Sequence, residues 1–578
     1  MKKFLKLPEL YMALVLVLCA IFTVWSEPSI SNVHLIVDGV DEEVSLPISA
    51  EVPDHRTFYA KMDVSNLHFP SYTYHIIPDD CLERLMVNGE RVSLDSVQNR
   101  CDYRNGMLLS SKLFPAAGED GVLHMDFALK DKGGPGGVSV EIYQSGFLWR
   151  LFQVFFALDF FVLAFFLLRR YRVPVPFALL ILVATLCHVI YTEATPYTAR
   201  THDVDGHVDY IEYIVDHHRI PANDVCWSCY HPPVYYTMMA PAWAVAKSVG
   251  FPPARAVQWA TFLLSFILVA TGVGVLRLVM QGPALGVAAV LWAFFPSLFL
   301  VAPRIGNDQL FFLAHVICLC AALSYIVKQK AVSLVIGAIA CWAAFWTKST
   351  GSVTICIWLA GFVLGYFPRA KLLPKAGEWA GLGVMFALAL SIGAKLFLGD
   401  DLVGNASGLN GRLRVMTEPV NFLYFDIPGF LSTVYTDAWH DEGGRQYFWN
   451  YLLKSALFGE FKIRTDTFGI WVATILNYSF FGLLIFAAVG FWKKKIDKRA
   501  LLLLVNALAF VGAVAVLRLK VPYSCSNDFR YVLPLALSFV PFVGWGIFKE
   551  NASLKWEVAG VACSAVFVIS SCLLYLLL

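Results

Sequence analysis

The sequence predicts a polytopic α-helical membrane protein carrying an N-terminal, extracytoplasmic β-sandwich of jelly-roll type. Three observations predict it. First, 58% of the 578 residues are hydrophobic and 15% are charged, with a mean hydropathy of +0.62. Many separate apolar runs reach the ~20 residues that cross ~30 Å of hydrocarbon. Second, Lys and Arg gather in short clusters between these runs, as they do in cytoplasmic loops. Third, residues 26–147 abandon the long apolar runs for short apolar–polar alternations between Gly, Pro, Asp and Asn turns. The net charge of +2 says nothing about nucleic acid, no basic patch interleaved with aromatics argues for such a partner, and none is expected.

The helical elements follow from charge placement. Residues 1–25 form a first span held inside by Lys2, Lys3 and Lys6. Ala20 to Trp25 offer no small-residue cleavage site, so this span is retained. A second span, 148–172, ends at Arg169-Arg170-Tyr171-Arg172 and returns the chain to the cytoplasm. A third, from about Pro176 to Tyr191, leads outward. Clusters at Lys328/Lys330, Arg369/Lys371/Lys375, Lys493/Lys494/Lys495 and Lys549/Lys555 mark later cytoplasmic turns. The chain thus crosses about thirteen times, N-terminus in and C-terminus out. Residues 173–578 form one transmembrane domain with external loops at 193–254 and 399–467. His231 to Gly250 is too short and too rich in proline for a span. It is expected to lie at the outer interface, with Tyr235, Tyr236 and Trp243 among the headgroups.

In the β-region, Leu85-Met86-Val87-Asn88-Gly89-Glu90 carries the Asn-Gly signal of a tight hairpin. Placed outside the cell, Cys81 and Cys101 can form a disulfide. Its alternation accounts for most of its residues as sandwich faces, so its expected role is accessory, capping the membrane domain or shaping acceptor entry, with carbohydrate binding as the alternative.

The chemistry is expected in the external segments. Arg200 to Tyr236 packs Asp203, Asp205, Asp209, Glu212, Asp216 and Asp224 among histidines, beside two hydrophobic segments. Acids at a bilayer edge are costly and mark function by default. Arg304 and Asp308 lie between the fifth and sixth predicted spans, and Lys348 between the seventh and eighth. The long loop carries Asp437, His440, Asp441, Glu442, Arg445 and Glu460, and Asn527-Asp528-Phe529-Arg530-Tyr531 opens a later span. Each charge alone reads as a snorkelling interfacial residue. Their shared side reads as a site at the outer leaflet. Cys226 and Cys229 are expected to pin their loop with a local disulfide, since a lone C-x-x-C lacks the second pair of a zinc site.

The acid-rich loop, His231-Pro232-Pro233-Val234-Tyr235-Tyr236, Asn307-Asp308, Thr347-Lys348 and Arg530-Tyr531-Val532-Leu533-Pro534 together resemble the GT-C superfamily of membrane glycosyltransferases. The likeness is to the bacterial branch of aminoarabinose transferases and protein O-mannosyltransferases, from about Pro176 to Leu578. It implies inverting transfer of a sugar from a polyprenyl-phosphate donor to a lipid, glycan or protein acceptor. The implied location is the bacterial inner membrane, with the active site facing the periplasm. Asp203 maps best onto the family's catalytic carboxylate, with Asp205 as runner-up. His231, Arg304, Asp308, Lys348, Arg530 and Tyr531 are the candidates for donor phosphate or sugar, His231 standing where the aminoarabinose relatives carry a lysine. His207, Tyr210, Tyr235 and Glu460 are candidates for the acceptor side or the loop.

The resemblance leaves open whether any cofactor is needed. Asp203, Asp205 and Asp308 offer hard oxygen ligands for a divalent ion such as Mg or Mn, and the clustered histidines offer nitrogen ligands for zinc. A transporter or flippase of lipid-linked sugars would also place charges in a membrane domain, but such folds carry internal repeats and broken helices that this sequence does not display. A carbohydrate-binding receptor would account for the sandwich and leave the loop acids unexplained.

Overall fold

The computed structural model describes residues 7–577 apart from 53–55, 96, 98–99, 102–105, 133–134, 368–372, 398–412, 439–440 and 442. Lys2, Lys3, Lys6, Arg369, Lys371, His440 and Glu442 lie outside these described residues. The chain divides into two compact units: Met1–Pro174 with Thr198–Thr201 and Ala244–Ala256, and Val175–Tyr197 with His202–Trp243 and Val257–Leu578.

The first unit holds ten strands: β1 (Ser29–Val37), β2 (Val40–Glu43), β3 (Ile48–Glu51), β4 (Thr57–Ser65), β5 (Tyr72–Pro78), β6 (Cys81–Val87), β7 (Glu90–Arg91), β8 (Met107–Ser110), β9 (Leu123–Lys130) and β10 (Pro135–Gln144). They form a six-stranded sheet, β2-β1-β4-β9-β6-β7, and a four-stranded sheet, β3-β10-β5-β8. Every pairing is antiparallel. Alternation drives the packing. In β4, Phe58, Ala60, Met62 and Val64 turn inward while Thr57, Tyr59 and Lys61 face out. One apolar core joins Leu35, Phe58, Met125 and Phe127 of the first sheet to Tyr74, Ile76, Leu109 and Val140 of the second. Asn88 and Gly89 both take positive φ between β6 and β7, as a two-residue hairpin turn requires. Cys81 and Cys101 are bridged. Trp25, at the end of the first apolar helix, stacks on His68 of the sandwich at 4.6 Å.

Among the described residues, eleven helices are long and apolar enough to cross a membrane, and Ala331–Thr347 and Leu533–Ile547 are shorter apolar helices. This is a multi-pass membrane protein. Within the second unit, small residues let helices meet backbone to backbone. A Cβ on Gly490 would lie 1.9 Å from Phe542 O, and one on Gly546 would lie 1.8 Å from Phe486 O. Polar groups tie further helices together. His315 bridges Thr354 Oγ1 at 3.0 Å and Asn506 Oδ1 at 2.8 Å, and Asn506 donates to Ser538 Oγ at 2.9 Å.

His231 to Gly250 forms no candidate span; Val234–Ser248 is a helix of 15 residues. The expectation that its aromatics face headgroups is corrected. Tyr235, Tyr236 and Trp243 are buried at 0%, 0% and 6% exposure. The two phenols find partners inside the protein, which removes the cost that would otherwise keep them at a wet interface.

Candidate active site

The short helix Val204–His217 carries the acidic rim. Its apolar spacing buries Val204, His207, Tyr210 and Ile211, leaving Asp205 and Asp209 on the opposite, exposed face. Asp203 occupies the position before the helix with φ 54° and ψ 29°, a left-handed conformation that Asp tolerates better than most residues. Its carboxylate does not cap the helix. It is exposed, and Oδ1 accepts the indole N–H of Trp227 at 3.2 Å. Asp205, also exposed, has its carboxyl pushed up by partial desolvation and by the neighbouring charge of Asp203.

Behind the rim lies an aromatic stack. Tyr210 packs face to face on Tyr236 with ring centroids 3.8 Å apart, and His207 stacks on His231 at 5.8 Å. His207 Nδ1 pairs with Tyr236 Oη at 2.8 Å, and Tyr210 donates to His231 O at 3.3 Å. Tyr235 Oη shares a hydrogen bond with Thr261 Oγ1 at 2.8 Å and accepts the Gly306 N–H at 3.0 Å. Burial pushes His207 down to about 4, outweighing the opposite pull of Asp203 and Asp308. Burial also holds His231 well below the usual range, with His207, Lys348 and Arg530 adding to it. Burial thus disfavours the charged imidazole at both positions.

A second layer is cationic. Lys348, the residue after the Ala331–Thr347 helix, forms an ion pair with Asp308, the first residue of the Asp308–Lys328 helix. Its ammonium also lies 4.9 Å from the Tyr531 ring centroid. Arg530 approaches the same ring at 4.9 Å and donates from Nη2 to Tyr531 Oη at 2.9 Å. Arg304, buried, sits 5.4 Å from the Phe461 ring. Desolvation and the nearby Arg530 lower the Arg304 guanidinium below its ordinary value. Burial would lower Arg530 too, but Tyr531, Glu460, Asp528 and Asp203 outweigh it and hold the guanidinium charged. Glu460 accepts the Tyr451 hydroxyl at 3.0 Å and faces His202 Nδ1 at 3.9 Å.

The structure thus gathers Asp203, Asp205, His207, Tyr210, His231 and Tyr235 around the Val204–His217 helix. Asp308, Lys348, Arg530 and Tyr531 form the cationic layer, with Arg304 and Glu460 electrostatically coupled to it. Asp203 acts electrostatically on both Arg530 and Tyr531, which connects the two groups. Sequence reasoning gave no site role to Trp227 or Asp528, and it placed Tyr236 at the interface instead of in this stack. Asp528 caps the Phe529–Tyr531 turn by accepting the Arg530 N–H at 2.7 Å and is 1% exposed. Burial, reinforced by Glu460, pushes its carboxyl up to about 7 against the pull of Arg530. The Asn-Asp sequence before Phe529 was its only sequence signal. The cysteine pair is bridged as expected, Cys226 to Cys229.

Among the described residues, no group of three or more His, Cys, Asp or Glu side chains is placed to hold a metal ion. Asp308 pairs with Lys348, and Asp203 accepts from Trp227. No step below passes through a metal.

No family model and no curated protein matches the sequence. Solved structures do match. The archaeal oligosaccharyltransferase AglB from Archaeoglobus fulgidus, in complex with an inhibitory peptide and a dolichol-phosphate, is 12% identical with a TM-score of 0.41 over 71% of this chain and 56% of that one. ArnT from Cupriavidus metallidurans, bound to undecaprenyl phosphate, is 13% identical with a TM-score of 0.41 over 69% of this chain and 75% of that one. Arabinosyltransferase EmbB from Mycobacterium smegmatis is 12% identical with a TM-score of 0.31 over 93% of this chain and 52% of that one. This chain therefore spans little more than half the length of the oligosaccharyltransferase and of EmbB.

Proposed function

We propose that this protein is an inverting glycosyltransferase of GT-C type. It moves a sugar from a polyprenyl-phosphate donor to an acceptor hydroxyl at the extracytoplasmic face of a bacterial inner membrane. The observation that carries this reading is the electrostatic coupling of an exposed carboxylate, Asp203, to Arg530, which is itself coupled to Arg304 and shares the Tyr531 ring with Lys348.

Each half has a distinct task. Asp203 takes the proton from the acceptor hydroxyl as its oxygen attacks the anomeric carbon from the face opposite the leaving group. The bond from that carbon to the phosphate oxygen breaks, and the lipid phosphate departs with an added negative charge. Lys348 and Arg530 meet that charge, and the planar guanidinium can grip two phosphate oxygens together. Arg304 strengthens the field from behind. His231, where burial disfavours a positive charge, contributes a hydrogen bond. Asp205, two residues further on and also exposed, is the alternative base.

The test uses the full-length protein in detergent with an undecaprenyl-phosphate-linked sugar and acceptor glycans from a cell-envelope extract. The expected result is release of undecaprenyl phosphate and a product of opposite anomeric configuration. Recovery of intact donor under all conditions would refute the reading.

A further inference from the structure

The C-W-S-C segment does more than close a small loop. Its two cysteines are bridged, Cys229 and Ser228 are 2% and 1% exposed, and Trp227 between them stands 66% exposed. The loop is seated closely on the first turn of the Val204–His217 helix. A Cβ on Gly206 would lie 2.6 Å from Ser228 Oγ and 2.9 Å from Ser228 N, and Cys226 Sγ lies 3.7 Å from Gly206 O. A side chain any larger than glycine's hydrogen would push the loop away. The result is a rigid mount that holds one large aromatic ring in solvent beside the Asp203 carboxylate, with the indole N–H fixed on Oδ1 at 3.2 Å.

We propose that Trp227 is a positioning residue for Asp203 and the stacking platform for a carbohydrate acceptor. The inference rests on the glycosyltransferase reading and narrows its acceptor to a sugar-bearing molecule. A pyranose ring offers an apolar C–H face and a rim of hydroxyls. The indole face covers the former while Asp203 at the ring's edge receives a proton from the latter. A ring meant only to anchor in headgroups has no need of a fixed bond between its N–H and an acid.

Two substitutions separate the two tasks. Trp227→Phe keeps an aromatic face and removes the N–H; Trp227→Ala removes both. With methyl glycosides of glucose, galactose, mannose and N-acetylglucosamine as probes, saturation-transfer NMR on the full-length protein should report binding in wild type and Trp227→Phe. Trp227→Ala should lose it. In turnover with undecaprenyl-phosphate-linked sugar, Trp227→Phe should lower kcat about tenfold at nearly unchanged acceptor KM, and Trp227→Ala should also raise acceptor KM about tenfold. The proposal is overturned if no glycoside binds the wild type, if Trp227→Ala binds as well as wild type, or if Trp227→Phe loses binding as fully as Trp227→Ala. Glycoside binding that follows this pattern without any donor turnover would uphold the platform and sink the transferase reading instead.

Discussion

The sandwich surface and the cationic layer of the helical unit treat charge in opposite ways. In the sandwich, ion pairs such as Arg56–Asp38 lie at the surface, with 64% and 56% of their side chains exposed, above a core built from apolar side chains. In the helical unit, Lys348–Asp308 is only 11% and 20% exposed, while Arg304 and Asp528 are buried at 7% and 1%. An exposed pair contributes roughly 0–1 kcal/mol and signifies little. A buried one costs several kcal/mol of desolvation per ion, about what the folding of the whole domain can tolerate, so it persists where something other than stability requires it. The contrast is the ground on which we propose that the chemistry lies in the helical unit and that the sandwich is accessory.

The comparison can be broken first by separating stability from activity. Phe127, 1% exposed in the sandwich core, should cost about 3–5 kcal/mol when changed to Ala. Denaturant unfolding followed by circular dichroism should record that loss while the folded fraction still turns over donor at the wild-type kcat. A fall in kcat at full folding would give the sandwich a direct part in the chemistry.

Lys348→Ala should lower donor turnover by about 10²–10³-fold, the usual range for losing one preorganised charge-stabilising donor. Arg530→Lys, which keeps the charge and loses the fork, should cost about tenfold and appear mainly in donor KM. Wild-type kinetics in both variants would remove the cationic layer from the mechanism.

A pH titration sharpens the same contrast. Asp528 holds its proton below about 7 and is ionised above it, because burial disfavours its charged form. Once ionised, it offsets part of the Arg530 charge and repels a phosphate. Donor KM should therefore rise as pH increases through about 7, and Asp528→Asn should flatten that step. An identical step in the variant would assign it to another group. The smallest effect belongs to the sandwich surface: Arg56→Ala should change stability by no more than about 0.5 kcal/mol by the same unfolding measurement.

Much of this was legible in the sequence because the governing signals are local. Apolar length and Lys/Arg clusters set the spans, Asn88-Gly89 set a hairpin, and short-range spacing marked Cys226 and Cys229 as a pair. The meeting of Lys348, Asp308, Arg530 and Tyr531 was legible more indirectly, since alternating crossings put their loops on one side. What stayed hidden depended on burial. Tyr235 and Tyr236 looked interfacial because their partners, Thr261, Gly306 and His207, come from other segments. Asp528 looked like one more loop acid until Glu460 and Arg530 were brought against it. His231 was expected as a phosphate contact in a lysine's place, and only its burial beside His207 shows that a positive charge is disfavoured there.

The most direct test of the central claim compares Asp203→Asn with Asp205→Asn in full-length protein. Mass spectrometry would follow release of undecaprenyl phosphate from an undecaprenyl-phosphate-linked sugar in the presence of acceptor. Asp203→Asn keeps the side chain's shape and removes its basicity, so transfer should fall by about 10²–10⁴-fold, while Asp205→Asn should stay within about tenfold of wild type. Normal transfer by Asp203→Asn would contradict the account, whatever the behaviour of Asp205→Asn.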